Sequence, residues 1–140
     1  EVLLGGYLPV AARRVAAWGD GFMSPGGGDP DRMAALWRDI EAAWADAGRA
    51  VRPRWVTASS YSLGIRAAAN ADAYIQANSG FSPDLVRRNR GNTPTIPQAL
   101  PDQLRRREDA GASEYLLRPF VEELSALDPL AEAVASIAEV

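Results

Sequence analysis

Apolar positions in this chain fall into two alternating patterns. Short continuous runs, such as Val2-Leu3-Leu4 closed by Gly5-Gly6, are too brief for a helix and read as buried strands. Similar runs predict strands near 2–4, 21–23, 54–58 and 115–117. Between them lie stretches with helical spacing. Pro9 suits a first helical turn, Ala12, Val15 and Ala16 share one face, and Gly19 stops that helix. The strongest pattern follows Asp29-Pro30: Met33, Leu36, Trp37, Ile40, Ala43, Trp44 and Ala47 keep the i, i+3, i+4, i+7 rhythm, and Gly48 ends it. Residues 65–77 read as a helix with Ile65, Ala69 and the Ala73 region inward, and residues 101–110 as an Arg-rich one. Residues 127–139 make the last, with Leu127, Leu130, Val134 and Ile137 as its stripe.

Residues 78–101 carry the poorest signals. Ser82-Pro83-Asp84 can start a short helix through Arg88, but Pro94, Pro97 and Pro101 forbid a long one, so a flexible loop is expected here. The order is β-α-β-α-β-α-β-α. Short buried strands alternating with amphipathic helices predict an α/β fold whose strands are parallel neighbours in chain order with right-handed crossovers. Four such units are half of the eight that close a barrel. An open doubly wound sheet is the alternative, although no G-x-G-x-x-G turn follows Leu4.

Composition narrows the chemistry. The 140 residues are 47% hydrophobic, enough for one folded domain and too apolar for disorder. No apolar run reaches the ~18 residues of a membrane helix, and no targeting pattern is visible, so a cytoplasmic protein is expected. Without Cys or His there is no thiolate chemistry and no imidazole base or ligand, and no metal site is expected. All 15 basic residues are Arg, which excludes a Schiff-base or P-loop lysine, and a net charge of −3 argues against a nucleic-acid surface. The chain starts on Glu1 directly before an apolar run, which reads as a segment of a longer protein.

The pattern Val2-Leu3-Leu4-Gly5-Gly6, Pro9 opening an Ala/Arg-rich helix, and Gly19-Asp20-Gly21-Phe22-Met23 resembles the luciferase-like monooxygenases. The likeness continues through Ala47-Gly48-Arg49 and returns at Asp109-Ala110-Gly111-Ala112 and Leu117-Arg118-Pro119. It implies that residues 1–140 are a partial barrel domain, the fifth to eighth βα units in the C-terminal half of a TIM (β/α)8 barrel. The family uses reduced FMN or coenzyme F420 in hydride transfer or oxygen activation. The resemblance therefore implies a flavin- or F420-dependent oxidoreductase with a small-molecule substrate, its catalytic residues on an N-terminal half outside this chain. That missing half-barrel and a homo-oligomer are the partners it suggests, and the fragment alone is expected to be inactive. A non-catalytic α/β binding or assembly module is the other reading.

For the cofactor, the resemblance points to Gly5, Gly6, Tyr7, Leu8 and Ala11. Small residues before a helix N-terminus leave N–H groups open to a phosphate, while the same glycines also suit a plain tight turn. Arg118, at the end of the last strand, is the candidate substrate residue; an ion pair with Glu122 or Glu123 is its ordinary alternative. Asp20 between glycines is expected to satisfy local backbone. Gly26-Gly27-Gly28 reads as either an active-site loop or a connector, Trp37 and Trp44 as core, and Arg105-Arg106-Arg107 as a solvated face.

Overall fold

A computed structural model describes residues 1–24 and 29–138. Its elements are β1 (Leu3–Gly5), α1 (Val10–Trp18), β2 (Gly21–Ser24), α2 (Pro30–Asp46), β3 (Arg54–Tyr61), α3 (Ala67–Ser79), α4 (Pro83–Gly91), α5 (Ala99–Asp109), β4 (Glu114–Pro119) and α6 (Leu127–Ala138). A 3₁₀ turn, Leu124–Ala126, precedes α6. The Gly26-Gly27-Gly28 stretch lies outside the described residues.

The sheet order is β1-β2-β3-β4. Leu3, Gly21 and Arg54 lie in one register row, and Leu4, Phe22 and Trp55 in the next, all parallel. Between β3 and β4, the Ser113 N–H donates to Trp55 O at 3.1 Å and the Phe120 N–H to Tyr61 O at 3.0 Å, early end with early end and late with late. That is a parallel pairing as well. Consecutive strands are thus neighbours, as the alternation of runs predicted.

The chain divides into two compact units: residues 1–58 with 106–116, and residues 59–105 with 117–140. The first is built on aromatic side chains. Trp55 stacks on Trp37 with centroids 5.1 Å apart and lies 6.1 Å from Phe22, and Met33, Leu36, Ile40 and Trp44 of α2 join them. The buried indoles keep polar partners where they can: Trp55 Nε1 donates to Ser24 Oγ at 2.8 Å and Trp44 Nε1 to Val51 O at 2.6 Å. Asp29 caps α2 by accepting the Asp31 N–H at 3.1 Å, with Pro30 at its first position. Arg49 closes the end of α1: its guanidinium lies 3.6 Å over Trp44 and donates to Ala16 O and Gly19 O, where carbonyls and the helix dipole both favour a cation. On the opposite face of the sheet, Arg54 reaches Glu114 on one side and Glu1 on the other. It passes over Gly21, where a Cβ would lie 2.5 Å from Arg54 O.

The second unit is finer grained. Its buried apolar residues include Ala67, Ala71 and Ile75 of α3, Leu100 and Leu104 of α5, and Ala133 of α6. Two of its buried serines are hydrogen-bonded: Ser62 Oγ donates to Ala67 O at 2.8 Å and Ser59 Oγ to Gln103 Oε1 at 2.9 Å. Asn89 Nδ2 donates to Ser79 Oγ at 2.9 Å, tying α4 to α3.

Several expectations need correction. Strand β3 runs on to Tyr61, past 54–58, with the Ser59 hydroxyl finding a partner in Gln103, and β4 extends to Glu114 and Pro119 on either side of 115–117. Ile65 is not in α3 and is 91% exposed, because Gly64 and Arg66 both take positive φ and turn the chain before the helix starts. Ala69 and Ala73 face outward; the buried row is Ala67, Ala71 and Ile75. The flexible loop expected over 78–101 is instead built of helices: α4 starts at Ser82-Pro83 as read and runs past Arg88 to Gly91, and α5 begins at Ala99, with Pro101 still in its first turn, where no N–H partner is needed. In α6 the large residues Leu127 and Val134 are exposed while small Ala133 is buried. Arg107 is buried too, not solvated, and donates to Thr57 Oγ1 at 3.2 Å.

Candidate functional site

Two places hold the candidate residues, one in each unit. In the first unit, β1 ends at Gly5 and the chain turns through Gly6, Tyr7 and Leu8 into α1. A Cβ on Gly6 would sit 2.9 Å from the Ala11 Cβ, so the absence of a side chain lets the turn lie directly on the first turn of α1. A Cβ on Gly5 would meet Met23 O at 3.1 Å. Tyr7, Leu8, Pro9 and Val10 are exposed. Pro9 caps α1 without a side-chain hydrogen bond, and the Ala11 and Ala12 N–H groups donate back to Leu8 O (2.8 Å) and Pro9 O (3.1 Å). Among the described residues, nothing accepts from the N–H groups of Tyr7, Leu8 or Val10. The open donors therefore lie in the turn itself, ahead of buried Ala11.

A cation stands beside them that the sequence pattern did not disclose. Arg32, in the first turn of α2, donates through Nη2 to Tyr7 O at 3.2 Å. A guanidinium has five donors, so this one bond leaves most of its capacity. In the sequence Arg32 reads as one more exposed helix residue; only the return of α2 beside the β1 turn gives it a place. Asp20 behaves as expected of a backbone-satisfying residue, accepting the Val2 N–H at 2.8 Å.

In the second unit, Arg118 projects from β4. Its Nη2 donates to Ser60 Oγ at 3.1 Å, and its guanidinium lies 5.8 Å from the Tyr74 ring centroid. Among the described residues it has no carboxylate within ion-pair distance, so the expected pairing with Glu122 or Glu123 is absent. Both glutamates lie past Pro119, between the bend at 120–121 and the 3₁₀ turn.

Perturbed titrations fall mostly elsewhere. Arg54 holds the Glu114 carboxyl below its ordinary value through a direct hydrogen bond. Burial, helped by Glu108, pushes Tyr115 up to about 12, and burial alone raises Tyr61, whose fully buried hydroxyl has no partner among the described residues. Desolvation lowers Arg107. None of these groups belongs to the two places above. A shallow groove lined by Pro30, Asp31, Ala34, Arg106, Asp109 and Ala110 likewise contains none of the candidate residues. Among the described residues no group of three or more acidic side chains could hold a metal, and no helix is long and apolar enough to cross a membrane.

No protein-family model and no curated protein matches the chain. Solved structures do. An F420-dependent secondary alcohol dehydrogenase in complex with an F420–acetone adduct superposes with a TM-score of 0.75 at 14% identity, over 96% of this chain and 48% of that one. The coenzyme F420-dependent tetrahydromethanopterin reductase of Methanopyrus kandleri gives 0.65 at 13%, over 96% and 50%. The monooxygenase RslO1 of Streptomyces bottropensis gives 0.59 at 13%, over 97% and 47%. The chain spans about half the length of each. At these identities the likeness is one of fold: four parallel β/α units, half of a TIM (β/α)8 barrel.

Proposed function

We propose that this chain is the C-terminal half of a luciferase-like oxidoreductase that works with FMN or coenzyme F420, and that its β1–α1 turn receives the cofactor phosphate. One observation carries the reading: an exposed turn with the open N–H groups of Tyr7, Leu8 and Val10, with Arg32 beside it, at the end of the first strand of a fold shared with two F420-dependent enzymes. Those residues suit a phosphate. Backbone donors and the positive end of α1 favour an anion, and Gly5 and Gly6 let the turn that carries those donors pack closely on Met23 and Ala11. Arg32 adds full charge, which answers the absence of lysine. When bound, the cofactor supplies the redox chemistry; the work of this chain is to hold its phosphate. Arg118 binds the substrate. Catalytic residues belong to the other half-barrel, which meets the open edges of β1 and β4, and the assembled enzyme is a cytoplasmic homo-oligomer.

Comparing FMN with riboflavin isolates the phosphate, since the two differ in nothing else. Titrating this chain with each, by quenching of flavin fluorescence, should show FMN binding at least about tenfold more tightly, near 1.4 kcal/mol. Gly6→Val and Arg32→Gln should erase that preference, while Arg106→Ala should not. Circular dichroism of each variant separates lost binding from lost folding. Equal affinity for FMN and riboflavin in the unaltered chain would remove the phosphate role. No binding of FMN, riboflavin or F420 at all would favour the non-catalytic α/β module.

A further inference from the structure

Two neutral side chains, Ser60 and Tyr74, lie beside the exposed Arg118 where a carboxylate was expected. We propose that Ser60 and Tyr74 are positioning residues that hold the Arg118 guanidinium as a preset fork for an oxyanion, a carboxylate or a phosphate carried by the substrate. This rests on Arg118 being the substrate-binding residue. Most paired arginines of this chain meet a carboxylate: Arg52 meets Glu41, Arg54 meets Glu114, Arg90 meets Asp72. Arg118 is held instead by neutral groups. Ser60 Oγ accepts from one of its five donors at 3.1 Å, and the Tyr74 ring lies 5.8 Å below its central carbon.

The support is itself held. Tyr74 stacks on Phe120, centroids 4.1 Å apart and planes within 11°, and the Phe120 N–H is bonded to Tyr61 O. The ring thus rests against a residue tied into the sheet. A free arginine loses considerable rotamer freedom when it grips a ligand; one already pinned at a hydroxyl and a ring face loses less. Among the described residues none of its N–H donors meets a carboxylate, so the positive charge is left for a ligand's. Ser60 has a second use. Its oxygen accepts from Arg118, which leaves its own O–H to donate to the same oxyanion.

The test follows the Arg118 side chain directly, by its Nε–H resonance in the ¹⁵N-labelled chain, assigned by its loss in Arg118→Gln. Two arms use acetate, as a carboxylate alone, and inorganic phosphate. In at least one arm the resonance should shift saturably, and the arm that responds names the oxyanion. Ser60→Ala and Tyr74→Leu should each weaken that binding by about threefold to tenfold, whereas Tyr74→Phe, which keeps the ring, should retain it. Binding at Arg118 that Ser60→Ala and Tyr74→Leu leave unchanged would overturn the positioning role and leave the Arg118 reading standing. A resonance that does not saturate in either arm would overturn both. The amide spectrum of each variant reports whether the fold survives.

Discussion

The two units of this chain reach a buried interior by different means. The first interlocks large side chains: Trp55 is stacked on Trp37, flanked by Phe22, Ile40 and Trp44, and has its indole N–H bonded to Ser24. The second mixes sizes: single large residues such as Tyr61, Ile75 and Leu100 are buried beside Ala67, Ala71, Ala133 and the hydroxyls of Ser59 and Ser62. Large apolar residues at helical spacing declare which face is inward. Alanines on every side of a helix do not. That difference explains why α2 reads correctly from its pattern while α3 reads with the wrong face.

Substitutions can sharpen the contrast. Trp55→Ala should be the most damaging, because it removes the central ring and strands the Ser24 hydroxyl. A loss of about 3–5 kcal/mol is expected in chemical denaturation, a large part of the 5–15 kcal/mol typical of a whole domain. Gly111→Ala comes next. Gly111 has φ +109° and a Cβ there would lie 3.0 Å from Trp37 Cδ1, so a loss of about 1–3 kcal/mol should appear as a lower melting temperature. Gly91→Ala, in α4 of the second unit, should act in the opposite sense. A Cβ there meets nothing within 4 Å and φ is not positive, so helix propensity should add about 0.5–1 kcal/mol. If Gly91→Ala destabilised as much as Gly111→Ala, the open space at Gly91 and the crowding at Gly111 would not be what separates the two positions.

The smallest effects come from titration. Tyr115 rises from 10.0 to about 12, so burial of the neutral phenol stabilises the fold fully below pH about 10 and progressively less as pH climbs through about 12. Absorbance at alkaline pH should show this tyrosine ionising late, together with loss of structure. Glu114 is shifted the other way by Arg54, so its contribution is present above the ordinary carboxylate range and fades as pH falls. Arg54→Gln should flatten that acid limb. An acid limb unchanged in Arg54→Gln would show that the pair contributes nothing to acid stability.

The two candidate places differ in the same way as the two interiors. The Gly5–Leu8 turn is a local feature: an apolar run, two glycines and a proline-led helix follow one another along the chain, so its position is legible from a dozen consecutive residues. What lies around it is not local. Arg32 comes from α2 and Ser60 and Tyr74 come from β3 and α3, and nothing in their immediate neighbours distinguishes them from other exposed polar residues. Arg107 shows the same limit from the opposite side, an arginine in a run of three that is buried with its guanidinium bonded to Thr57.

Element type and order in this chain follow from short-range rules. Runs of apolar residues, capping residues such as Asp29 and Ser82, and glycines at turns act over a few positions, and they suffice for four parallel β/α units in chain order. Partner choice for charged and hydroxyl side chains acts over tens of positions, 25 between Tyr7 and Arg32 and 58 between Ser60 and Arg118. A guanidinium has the same intrinsic preference for any oxygen, so which oxygen it meets depends on how the elements pack, and that packing is set by burial of the aromatic and alanine faces rather than by the arginines themselves.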